Sequence, residues 1–337
     1  MPQYQKSEAR DWGLQHMVGC ANTTIPSFSR DLKRLNEGAI RHDIRRAIEL
    51  GFKGTLLCSE VNVTHEEYRQ FIEWSADEAQ GRLHLILHAA FNTLEENIEI
   101  AHMAQRAGAD YALLSYPANF YPTAMQEVFD YTRDFCDNTD LGVMVFPVPL
   151  WNFGRLHPSD IDIETLDKLV TACPNIIAIK AEGGRTTGGI IEVHDRFNGR
   201  VVVSCPLEKE IIPLMRYMDF QYSGTSSFEY YGDTVPRMFE YACARRFDEA
   251  MKIYWQIAPA RNANTATNAY VGHTLFLNRM LWKFKGWLNG MNGGPIRQPT
   301  LKISERDMNL LRRAVVESRI ATPNEPNAAY FVGRHPV

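Results

Sequence analysis

The feature that most restricts the fold is a rhythm. Eight short apolar runs recur along the chain: HMVGCA (16–21), GTLLCS (54–59), LHLILHA (83–89), YALLSYP (111–117), GVMVFPV (142–148), IIAIKA (176–181), VVVSC (201–205) and FQYSG (220–224). Continuous hydrophobicity over so few residues marks strands covered on both faces, as in parallel sheets. The segments between them carry helix signals. Thr64-His65-Glu66-Glu67 and Asn92-Thr93-Leu94-Glu95-Glu96 resemble capping-box starts, and Gly51 and Gly108 stand where helices would stop. Strand and helix alternating eight times predicts an α/β chain folded as a (β/α)8 TIM barrel with right-handed crossovers. The rival, a doubly wound open sheet, normally places a glycine-rich turn after its first strand. Here that turn is CANTTIPSF, with no GxGxxG.

About a hundred residues beyond the eighth run read as helix. Arg246–Ala258 opens one stretch, the segment 271–290 carries Phe276, Leu277, Met280, Leu281, Trp282 and Leu288, and Ser304–Ser318 is amphipathic. The expected organisation is a barrel over 1–245, a C-terminal helical bundle over 246–320 without a site of its own, and an extended tail over 321–337. A formal charge of −4 gives no basic footprint for nucleic acid. No run approaches the roughly 18 apolar residues of a membrane span, and MPQYQKSEARDWG lacks the apolar centre of a signal peptide. The six cysteines show no CxxC spacing, so reduced thiols are expected, with neither a disulfide frame nor a zinc site. A cytoplasmic protein without metal or cofactor is the expectation.

Chemistry on a barrel belongs at the C-terminal strand ends. Reading those ends in order gives Thr23-Thr24, Cys58-Ser59-Glu60, His88, Ser115-Tyr116, Phe146-Pro147, Lys180-Ala181-Glu182, Ser204-Cys205 and Gly224-Thr225-Ser226. Lys180 is the only lysine on that ring, and it closes a run of three isoleucines and an alanine. A lysine at a strand tip ordinarily snorkels its ammonium into water. In an apolar barrel mouth the charged form is disfavoured instead, which leaves neutral amine to condense with a ketone.

At these residues the chain resembles the dihydrodipicolinate synthase / N-acetylneuraminate lyase family of class I, pyruvate-handling aldolases. The resemblance runs through ThrThrIleProSerPhe (23–28), the segments 88–101 and 106–114, ProAsnIleIleAlaIleLysAlaGlu (174–182), GlyThrSerSer (224–227) with Pro236 downstream, and AsnGlyGlyProIleArgGlnPro (292–299). It implies a TIM barrel, Lys180 as the Schiff-base lysine, a pyruvate-like 2-oxo acid and an aldehyde as partners, and a homotetramer or homodimer. The expected substrate-binding residues are Ser59, Glu60, His88, Phe146, Glu182, Ser204, Gly224 and Thr225.

The pattern departs from the family at three places. Its Gly-Thr-Thr-Gly-Glu-type turn after strand two is here LeuLeuCysSerGluValAsnValThr (56–64), with Ser59 and Glu60 left to serve. Its strand-five tyrosine, a proton relay, is replaced by Phe146. Phenylalanine moves no proton, so Tyr116, His88 and Glu60 are candidate replacements, with Tyr116 preferred because strand four neighbours strand five. After strand four, Ala118 and Asn119 stand where the family often has two tyrosines. The aromatics Phe120, Tyr121, Trp151 and Phe153 suit a bulky or aromatic aldehyde. The glycine-rich loop 182–189 holds Arg185, a candidate for a second carboxylate. The expected activity is therefore a lyase of aldolase or hydratase-aldolase type. A dehydratase or decarboxylase of a sugar-derived oxo acid, using the same imine, stays open. So does a non-catalytic ligand-binding barrel, and, lowest, a metal-dependent barrel built on Glu60, His88 and Glu182.

Overall fold

A computed structural model describes residues 3–117, 120–147, 161–182, 186–268, 278–297 and 302–337. Eight parallel strands close into a barrel in sequence order: β1 (Gly19–Thr24), β2 (Gly54–Leu57), β3 (His84–Ala89), β4 (Tyr111–Leu114), β5 (Gly142–Val145), β6 (Ile176–Lys180), β7 (Val202–Ser204) and β8 (Tyr222–Gly224). The sequence rhythm is thus the barrel itself. Helices alternate with the strands: α1 (Ala9–His16) precedes β1, then come α2 (Glu37–Glu49), α3 (His65–Ala79), α4 (Leu94–Ala107), α5 (Met125–Asp137), α6 (Ile163–Ala172), α7 (Thr187–Phe197) and α8 (Glu208–Leu214). After β8 follow α9 (Thr234–Cys243), α10 (Phe247–Gln256), α11 (Ala258–Asn268), α12 (Arg279–Trp287) and α13 (Glu305–Glu317).

Local chemistry sets the helix ends. At α3 the Glu67 amide donates to Thr64 Oγ1 while the Thr64 amide donates to the Glu67 carboxylate, and Thr93 with Glu96 repeats the pattern at α4. Gly108 ends α4 at φ 110°, a conformation that penalises any residue with a Cβ.

The chain divides into two compact units, Met1–Gly19 with His84–Gly224, and Cys20–Leu83 with Thr225–Val337. In the first, the N-terminal segment is part of the barrel's closure. Trp12 packs against Tyr4, His84 and Tyr111, the Arg10 guanidinium donates to the carbonyls of Val170, Cys173 and Ile176, and Tyr4 donates to the Asp110 carbonyl. These contacts cover the N-terminal ends of β3, β4 and β6. Gly142, opening β5, lies where a Cβ would meet Ile177 at 2.7 Å, so that close approach needs glycine. The Tyr111 and Tyr222 hydroxyls meet at 2.9 Å, which fills the interior between β4 and β8.

The second unit holds an unusual helix. α12 has a buried apolar set, Leu281, Phe284 and Trp287, and also three buried cations, Arg279, Lys283 and Lys285. Lys283 Nζ donates to the Pro26 carbonyl at 3.0 Å, and Asp43, which accepts the Asn292 amide, supplies the opposing charge. Lys285 Nζ reaches Asn268 Oδ1 at 3.2 Å, with Glu229 as its acid. Burial pushes both acids up and both amines down. The tail, expected as an extended arm, carries a 3-10 turn at Asn327–Phe331 with Tyr330 fully buried, and Arg312 holds it through Pro323, Glu325 and Asn327.

Candidate active site

Lys180 ends β6, whose five residues are all buried. Its partner across the β6–β7 ladder is Ser204, and Ser204 pairs in turn with Tyr222 of β8. Paired residues on neighbouring parallel strands share a face, so Lys180, Ser204 and Tyr222 all point inward with Tyr111. Lys180 is only 8 % exposed. Its Nζ lies 3.9 Å above the centre of the Phe146 ring and 3.8 Å from Glu182 Oε2. Burial lowers the lysine pKa, and the Glu182 charge pulls it partly back up. The amine is thus neither free in solvent nor locked in a tight ion pair. It has one acid within reach and an aromatic wall on another side.

The adjoining strand ends add polar groups. His88 at the end of β3 is buried, and its Nε2 sits 3.2 Å from Ser115 Oγ. Burial, reinforced by the Lys180 charge, drops the His88 pKa to about 3, so the imidazole is neutral across the physiological range. Ser204 Oγ accepts the Gly224 amide at 3.3 Å. Lys180, Phe146, Glu182, His88, Ser204 and Gly224 therefore stand where the barrel reading placed them, joined by Ser115.

Tyr116 is a correction. Tyr111 is inward, so alternation along β4 turns Leu113 and Ser115 inward and Tyr116 outward. The Tyr116 hydroxyl is buried against Thr132 of α5 at 2.5 Å, and Thr132 donates onward to the Val128 carbonyl. Its ring stacks on Phe120 and leans on Tyr131. Burial raises its pKa, which further opposes a relay role. Phe120 is spent in the same outward packing, and Tyr121 is exposed. Trp151, Phe153, Ala118, Asn119 and Arg185 lie outside the described residues.

In the second unit Ser59 is buried after β2, and Thr225 is half-buried, its amide donating to the Ala21 carbonyl of β1. Glu60 is ion-paired with Arg279, the first residue of α12. The Arg279 guanidinium also lies 4.2 Å over the Trp282 ring. The sequence reading missed Arg279. Its one signal was a cation opening the apolar pattern of α12.

A model of the dihydrodipicolinate synthetase family matches residues 19–317. The chain belongs to that family. Members of the family are class I aldolases and lyases, which make or break carbon–carbon bonds, and the protein is an enzyme of that class. The 4-hydroxy-tetrahydrodipicolinate synthase of Clostridium tetani is 24 % identical over 253 residues, 74 % of this chain and 80 % of that one. Against the synthase of Methanopyrus kandleri the identity is 26 % over 49 % of this chain, and the match spans about half (55 %) of that protein. Two solved structures share the fold. Dihydrodipicolinate synthase from Aquifex aeolicus has a TM-score of 0.75 at 20 % identity, covering 91 % of this chain and all (100 %) of that one. N-acetylneuraminate lyase from Fusobacterium nucleatum has a TM-score of 0.73 at 19 % identity, covering 90 % and 99 %. No helix among the described residues is long and apolar enough to cross a membrane.

Proposed function

We propose that this family member joins or splits a carbon–carbon bond of a 2-oxo acid through an imine on Lys180. The observation that carries this reading is the buried Lys180 amine at a barrel strand end, with Glu182 at 3.8 Å. Glu182 takes a proton from the Lys180 ammonium, and the neutral nitrogen attacks the carbonyl carbon of the oxo acid. Glu182 then returns that proton to the carbinolamine oxygen and carries a second one to it from the nitrogen, so that the oxygen leaves as water and the nitrogen lone pair closes the imine. The protonated imine withdraws the electrons of an adjacent carbon–carbon bond. That bond breaks as the hydroxyl on its far carbon passes its proton to the Glu182 carboxylate, giving an enamine and an aldehyde, and it forms by the reverse of these steps. Ser204 and the neutral His88–Ser115 pair supply hydroxyl and imidazole groups for the oxygens of the substrate. Glu182 thereby takes the place of the family tyrosine that Phe146 displaces, and Phe146 itself walls the amine from water.

The family's use of pyruvate and aldehydes supports the substrate class. The test is trapping. Incubation with pyruvate and borohydride, followed by intact mass and peptide mapping, is expected to leave a reduced adduct on Lys180. Absence of an adduct with pyruvate and with longer 2-oxo acids, although each binds, would refute the proposal.

A further inference from the structure

Phe146 stands where a proton-moving tyrosine was expected, and what it presents to Lys180 is the face of a ring. The β5–β6 ladder pairs Met144 with Ala178 and Val145 with Ile179. One residue further along the two strands come Phe146 and Lys180. Neighbours in register on parallel strands share a face, with backbones about 4.8 Å apart. The backbone therefore sets this contact. Phe146 is 5 % exposed and Lys180 8 %. The Lys180 nitrogen lies over the ring, 3.9 Å from its centre.

The face of a phenyl ring is negative and its edge positive. A cation within about 6 Å of the ring centre is attracted to that face, most strongly where both are out of water. In the steps proposed above, the nitrogen passes from ammonium to neutral amine and back to a cation, the protonated imine. Ammonium and ketone become imine and one water, so the positive charge is conserved. It finishes shared between the nitrogen and the carbon bonded to it. The two cations lose different amounts on burial. An ammonium is compact, strongly hydrated and has three N–H donors, whereas the imine cation is planar, delocalised and keeps one N–H. Burial disfavours the ammonium and lowers the Lys180 pKa. The titratable groups facing the nitrogen are Glu182 at 3.8 Å and His88, which is neutral. An aromatic face suits the flat, weakly hydrated cation better than the hydrated one. Such a preference for the intermediate over the resting state is what speeds a step.

We propose that Phe146 is a catalytic residue, whose ring face holds the positive charge of the Lys180 nitrogen and stabilises the protonated imine. The aromatic side chain thus serves the chemistry without moving a proton. This inference deepens the imine reading and rests on it, and the experiment separates the two.

The test places mono-, di- and trifluorophenylalanine at position 146 of the full chain. Each fluorine withdraws charge from the ring face while size and apolarity hardly change. Subsaturating pyruvate is added, the mixture is quenched rapidly with excess borohydride, and the ratio of reduced adduct to free Lys180 is read by peptide mass. That ratio is expected to fall stepwise with each fluorine, by about tenfold in all. Phe146→Leu keeps an apolar wall without a ring and is expected to fall about as far. In the same proteins without pyruvate, the Lys180 pKa is read from the pH dependence of its acetylation, and it is expected to fall along the series. A trapped ratio constant within about twofold from phenylalanine to trifluorophenylalanine overturns the proposal. So does a Phe146→Leu protein that traps as well as wild type. Should Phe146→Leu fail to fold, the fluorinated series decides alone. Should even wild type give no adduct, the imine reading fails, and the acetylation series still decides whether the ring holds the charge. A falling pKa supports that hold and a constant one refutes it.

Discussion

The two units each bury lysines, and the proposed nucleophile is only one of them. Lys180 sits at the end of a barrel strand, with Phe146 over its nitrogen and Glu182 at 3.8 Å. Lys283 and Lys285 on α12 are buried at least as deeply, and burial pushes both amines down as well. Their nitrogens are spent on the Pro26 carbonyl and on Asn268. A depressed pKa therefore does not distinguish a catalytic amine from a structural one. The distinction lies in what the nitrogen touches. A carbonyl hydrogen bond holds an amine in place, while a carboxylate just beyond contact can take its proton and give it back.

That comparison is open to several tests. The largest effect is expected from the amines themselves. Lys180→Ala should abolish trapping and lower turnover by at least about 10⁴-fold, because the reaction loses its covalent partner. Lys283→Met and Lys285→Met should retain the adduct. An adduct on Lys283 or Lys285 in wild-type protein would erase the distinction. Next, Glu182→Gln should slow adduct formation by about 10²–10⁴-fold. An unaltered single-turnover rate would shift the proton transfer to His88 and Ser115.

Stability provides the opposite contrast. Lys283→Met alone should cost about 1–3 kcal/mol in urea denaturation, since it removes one of the cations that face the buried Asp43 beside Arg334 and His335, and Asp43→Asn added to it should recover part of that loss. The pH dependence has a defined sign. The Lys285 pKa falls from 10.5 to about 7, so between those values the unfolded chain holds more protons and stability rises with pH. The Glu229 pKa rises from 4.5 to about 7, so stability falls as pH increases through that window. The denaturation midpoint should therefore pass through a minimum near neutrality, and Lys285→Met should flatten its alkaline side. The smallest effect is expected at Tyr116. Tyr116→Phe removes one hydrogen bond to Thr132, should cost about 0.5–1.5 kcal/mol, and should leave trapping within about twofold. A large loss of rate would return Tyr116 to the chemistry.

The barrel was legible because each strand, covered on both faces, is written as an unbroken apolar run with a capped helix behind it. Lys180 was legible for the same reason, as the one cation that ends such a run. The facing of Tyr116 was not. Where both faces of a strand are buried, composition does not reveal which parity points inward, and Ser115 and Tyr116 exchange roles on a shift of one residue. The segment 271–290 was read as helix on residues that include Met280, Leu281, Trp282 and Leu288, whereas the apolar residues that α12 buries are Leu281, Phe284 and Trp287, with Met280 and Trp282 only half-buried. Its three cations are matched by Asp43, Glu60 and Glu229, acids far away in sequence, and no periodicity links such partners. The sealing of the strands by Trp12 and Arg10 was hidden likewise, since neither residue stands in a patterned run.

The most direct measurement is a crystal structure of the protein soaked in pyruvate. Continuous density from Lys180 Nζ to the second carbon of pyruvate, with the Glu182 carboxylate facing that bond, is the predicted result. Pyruvate bound without a bond to Lys180, beside an amine still paired with Glu182, would contradict the account.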